Sequence, residues 1–107
     1  MKALILAIVV AISIQPAIAG SVFIPKNIQQ QIKHAAKIKW PGDFEMQKYM
    51  IDNQTEAYYE VRYYKNRKVP PKVLKGIMSR ARAKWPGDYE MQIYMVKNQV
   101  KAYLAIN

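Results

Sequence analysis

Lys39-Trp40-Pro41-Gly42-Asp43-Phe44-Glu45-Met46-Gln47 decides the reading of this chain, because forty-five residues later it returns as Lys84-Trp85-Pro86-Gly87-Asp88-Tyr89-Glu90-Met91-Gln92. Proline disfavours helical backbone in the residue before it, so a helix arriving from the left stops near the tryptophan. Glycine permits a sharp reversal. Aspartate is a strong N-cap for a helix leaving to the right, and glutamate places negative charge in the first turn, where the helix dipole favours it. The block therefore encodes a helix stop, a turn and a helix start. Trp40, Pro41, Gly42 and Asp43 form one structural corner, and Trp85, Pro86, Gly87 and Asp88 form another.

Outward from the corners the two copies agree at helical spacing. Downstream the shared residues are Tyr49/Tyr94, Met50/Met95, Asn53/Asn98, Gln54/Gln99, Ala57/Ala102 and Tyr58/Tyr103. Upstream, Ile24-Pro25 matches Val69-Pro70, Ile32 matches Ile77 and Ala36 matches Ala81. Apolar positions recur every three or four residues, the mark of amphipathic helices. Helices are predicted from about Lys26 to Lys39, Phe44 to Tyr64, Lys72 to Lys84 and Tyr89 to Ala105. Gly76 weakens the third by about 1 kcal/mol relative to alanine, which leaves tertiary contacts to hold it.

The shared positions of the second helix fall on one half of its cylinder, and the variable ones (Lys48, Ile51, Asp52, Thr55, Glu56) on the other. The shared half is expected to face the interior in both copies, with its Asn and Gln side chains bonding to neighbouring helices or turns. The methionines 46, 50, 91 and 95 are expected to fill that core. The fold class that follows is all-α: two tandem αα-hairpin repeats, packed as a small four-helix bundle or a short helical-repeat stack. A period of this size is usual for helical-hairpin repeats.

Residues 1–19 read as a cleavable signal peptide. Lys2 precedes an apolar run from Ala3 to Ile14, and Ala17-Ile18-Ala19 offers a small-x-small cleavage site. The run is shorter than the ~20 residues a bilayer span requires. Export into the periplasm or medium is expected, with residues 20–107 forming one small helical domain: repeat one 24–65 and repeat two 69–106. The 88 residues left after cleavage carry a net charge of +9 and contain no cysteine, so packing without disulfides must hold the fold.

Nothing points to catalysis or to a bound cofactor. His34 is the sole histidine and sits between Lys33 and Lys37, as a solvated residue would. One histidine without cysteine makes no metal site. The Asp43/Glu45 and Asp88/Glu90 pairs are explained by capping. The chain is accordingly read as a non-enzyme.

A basic stretch carries the functional expectation. Between Glu60 and Asp88 there is no acidic residue, and the candidate binding surface comprises Arg62, Tyr63, Lys65, Arg67, Lys68, Lys72, Lys75 and Arg82. Cations beside tyrosines can grip phosphate or carboxylate while the rings stack on a sugar, base or acyl surface. The expected partner is an anionic macromolecule, either an envelope component or an acidic protein. Nucleic acid is a weaker alternative because export and the absence of a reading motif disfavour it. A structural or inhibitory role through the Trp and Met surfaces is a third.

Overall fold

The computed structural model describes residues 24–107 and places four helices there: α1 (Lys26–Lys39), α2 (Phe44–Arg62), α3 (Pro71–Lys84) and α4 (Tyr89–Ile106). No strand occurs among the described residues, and the class is all-α. The signal peptide expected at residues 1–19 lies outside them.

The four helix starts and the two corners follow local chemistry. Pro25 and Pro70 precede α1 and α3 with extended backbone (ψ 141° and 139°) and offer no side-chain cap. Their carbonyls instead accept the first backbone bonds, from Ile28 and Leu74, at 3.0 Å each. At both corners the tryptophan N–H still donates helically, Trp40 to Ala36 and Trp85 to Ala81, each at 2.9 Å. The glycine then turns left-handed, at φ 75° in Gly42 and 76° in Gly87, a region open to glycine at no steric cost. Asp43 accepts from the Met46 N–H at 3.1 Å and Asp88 from the Met91 N–H at 3.2 Å. A further bond crosses each corner: Gln47 donates to the Trp40 carbonyl at 2.9 Å and Gln92 to the Trp85 carbonyl at 2.8 Å. The shared glutamine of the motif thus joins the Asp43 or Asp88 N–H on the tryptophan carbonyl, which has no partner within the helix that has just ended.

α2 ends two residues before the expected Tyr64. Tyr63 leaves helical geometry at φ −111°, ψ 18°. The linker then tightens around Asn66, whose side chain accepts from the Lys68 N–H at 2.9 Å, while Val69 is buried.

Three packings build the fold: α1 on α2, α3 on α4, and α2 on α4. The spatial order is therefore α1–α2–α4–α3, with the two longer helices in the middle. Ile32 and Ala36 of α1, Ile77 and Ala81 of α3, and Ala57, Val61, Ile93, Val96 and Val100 of the central helices are buried.

The expected burial of the shared face holds in large part on α2 and for half of its positions on α4. On α2, Gln54 and Ala57 are buried and Met46, Gln47, Met50, Asn53 and Tyr58 are half-buried, though Tyr49 is exposed. On α4 the shared Gln92 is buried and Met91, Met95 and Tyr103 are half-buried, but Tyr94, Asn98, Gln99 and Ala102 are exposed, and the variable Ile93, Val96 and Val100 are buried. The reason is the direction of packing. α2 turns its shared face to α4, but α4 meets α2 with the stripe Tyr89, Ile93 and Lys97. The same stripe on α2 (Phe44, Lys48, Asp52) lies in solvent.

Candidate functional site

The most highly organised polar site is the clamp between α2 and the second corner. Gln54 is only 5% exposed. Its side-chain carbonyl accepts from the Tyr89 N–H at 2.8 Å. Its amide donates to Asp88 at 3.0 Å and reaches Glu90 at 3.4 Å. One side chain thereby satisfies a free N–H at the start of α4 and touches both acids of that corner. Around it, the Tyr89 ring meets Tyr58 edge-on at 5.0 Å, and its hydroxyl donates to Gln31 of α1 at 3.1 Å. Burial, and secondarily the neighbouring Tyr58, raise the Tyr89 pKa above its ordinary value. At the outer edge Lys97 pairs with Glu60, and that hydrogen bond raises the lysine's pKa.

An open cleft of about 670 Å³ adjoins the clamp, lined by Trp40, Met46, Met50 and Met91 with Asn53, Glu90 and others. Three of the four methionines expected in the core thus reach a surface depression, half-buried. Trp40 and Trp85 are also half-buried, each at the end of its helix.

The eight predicted binding residues lie elsewhere. Lys72, Lys75 and Arg82 share one exposed stripe of α3, on the side away from Ile77 and Ala81. Arg67 and Lys68 are exposed in the linker turn, and Arg62, Tyr63 and Lys65 are exposed where α2 ends. The Arg62 guanidinium stands 5.4 Å from the centre of the Tyr63 ring, which also contacts Tyr59 at 4.8 Å. Arg82 donates to Ser79 at 3.3 Å. Among the described residues no cation of this stretch has an acidic partner. All eight are exposed, and they line none of the cleft.

His34 is exposed. No group of three or more His, Cys, Asp or Glu among the described residues could hold a metal ion, and no described helix is long and apolar enough to cross a membrane. Gln54 is the polar residue that the sequence-derived binding surface omitted. Its signal was its recurrence as Gln99 on the shared face.

No family model, curated protein or solved structure matches the chain.

Proposed function

We propose that this is a small exported binding protein, built as two stacked helical-hairpin units, whose basic surface docks on an anionic component of the cell envelope. The single observation that carries the reading is the stretch from Arg62 to Lys84: its cations project into solvent with no acidic partner among the described residues. Unpaired surface cations raise the local concentration of anions and steer them. The exposed Tyr63 beneath Arg62 adds a flat apolar contact. Binding rather than catalysis is the mode of action, and the periplasm or medium is the place.

The test is co-sedimentation with envelope fractions over a salt series. Wild-type protein binds at low salt and is released as salt rises, because screening weakens exposed charge pairs. Reversing Arg67, Lys68, Lys72 and Lys75 to Glu abolishes binding while the helical circular dichroism is kept. Unchanged association of that variant at low salt refutes the reading. Capture of nucleic acid in preference to envelope material, with a steep log–log salt slope, would replace it with the alternative. Export is checked separately, by whether the mass of the secreted chain corresponds to cleavage after Ala19.

A further inference from the structure

We infer that copies of this chain associate head to tail, with the Gln99 face of one receiving the first corner of the next as Gln54 receives the second corner within the chain. The inference is independent of the basic surface and rests on the α2–α4 interface.

The receiving face is already present twice. On α2 it consists of Asn53, Gln54, Ala57 and Tyr58, and Gln54 and Ala57 are buried beneath the second corner and α4. On α4 the same residue types recur at the same spacing as Asn98, Gln99, Ala102 and Tyr103, but Asn98, Gln99 and Ala102 are exposed. Nothing in solvent requires that set of side chains. A face of this composition is suited to a capped helix start carrying an aromatic ring.

The donated part is also present twice. Asp88, the Tyr89 N–H and Glu90 fill the Gln54 clamp. Asp43, the Phe44 N–H and Glu45 make the same constellation on α2, with the same left-handed glycine and the same aspartate cap. There, however, the Phe44 ring is 78% exposed, against 8% for Tyr89. A second copy seated on Gln99 would give Phe44 the place against Tyr103 that Tyr89 has against Tyr58.

One difference between the copies fits this pairing. Tyr89 carries a hydroxyl that donates to Gln31. Phe44 has none, and the position equivalent to Gln31 is Gly76, which has no acceptor side chain. The missing donor would meet the missing acceptor, so neither polar group is stranded.

Another difference sets the strength. Lys48 stands where Ile93 is buried, and Lys101 where Glu56 lies beside it. The contact between copies therefore brings two cations together and is weaker than the one within the chain. Because it joins unlike faces it is an open, heterologous interface that leaves a free face at each end.

Sedimentation velocity over a concentration series reaching the millimolar range tests this. Wild-type protein is expected to form oligomers that lengthen with concentration, and to associate more at high salt, where Lys48 and Lys101 are screened. That salt response is opposite in sign to release from an anionic partner, so failure here and failure of the proposed function are distinguishable. Gln99→Ala and Phe44→Asp, both at exposed positions, each stop oligomers at the monomer without changing the helical signal. Mixed together, the two variants pair one to one and go no further, because each retains one working face. Lys48→Ile lowers the concentration needed for association at least about tenfold, the equivalent of ~1.4 kcal/mol. A wild type that stays monomeric at the highest concentration overturns the inference. So does association that survives Gln99→Ala, or a mixture of the two variants that does not pair.

Discussion

α2 and α4 share eight side chains at matching positions from Met46/Met91 to Tyr58/Tyr103, yet at Asn53/Asn98, Gln54/Gln99 and Ala57/Ala102 only the α2 member is covered. Gln54 is enclosed and triply bonded, whereas Gln99 is in water; Tyr89 is enclosed, whereas Phe44 is in water. Likeness between two stretches of one chain thus marks a repeated set of side chains. It does not mark a surface that is covered in both places. Whether it is covered depends on what stands next to it.

Substitutions at matched positions should expose that contrast. The largest difference is expected between Tyr89→Ala and Phe44→Ala. Deleting a buried aromatic ring costs about 3–5 kcal/mol, while an exposed ring away from contacts changes stability by about 0.5 kcal/mol or less. Urea unfolding of the two variants measures it, at a protein concentration low enough to keep copies apart.

Gln54→Ala against Gln99→Ala comes next. The first leaves the Tyr89 N–H buried without a partner, a loss of about 1–3 kcal/mol; the second should be near neutral on the same assay. Equal losses would mean that the clamp contributes nothing beyond helix propensity.

The two glycines sharpen the comparison of corners. Alanine at Gly42 must adopt left-handed backbone, at about 1–2 kcal/mol, and finds no atom within 4 Å of its new methyl group. At Gly87 the same strain applies, but the methyl would also lie 3.0 Å from the Gln31 amide nitrogen. Gly87→Ala is therefore expected to lower the melting temperature more than Gly42→Ala. If the order reversed, Gln31 would not be seated against the second corner.

The smallest effect is titration, and it too is confined to the α2–α4 side. Burial raises the Tyr89 pKa and the bond to Glu60 raises that of Lys97. A group whose folded-state pKa is raised contributes fully below its unfolded value and loses that contribution as pH climbs through the folded one. Stability should hold from neutral pH to about 9 and decline above about 10, near the unfolded values of tyrosine and lysine. Tyr89→Phe should flatten part of that decline. A loss beginning below pH 8 would require some other group.

Much of this fold could be read from residues alone. The end of α1 and the start of α2 followed from Trp40-Pro41-Gly42-Asp43, since each residue constrains its own backbone locally, and the stripe Ile32/Ala36 followed from spacing. The side that α4 buries was misread in part, at Asn98, Gln99 and Ala102, because identity between copies was given more weight than apolar spacing within α4. Ile93, Val96 and Val100 recur at three and four residues, and their counterparts Lys48, Ile51 and Thr55 do not form such a stripe. Giving α4's own period precedence would have put its buried side toward α2. The clamp was half legible: a glutamine bonding to a turn was expected, but its partner lies 34 to 36 residues away, which no local rule reaches. The basic surface was legible as composition. Its lack of acidic partners required the structure.

The reach of these bonds also orders the events of folding. Those that close a corner join residues three to seven apart, and short loops close at small entropic cost and high speed. The two elbows are thus expected to exist in the transition state, with φ-values near one at Asp43 and Asp88. Gln54 should show a value near zero, because it can engage only a corner that has already formed.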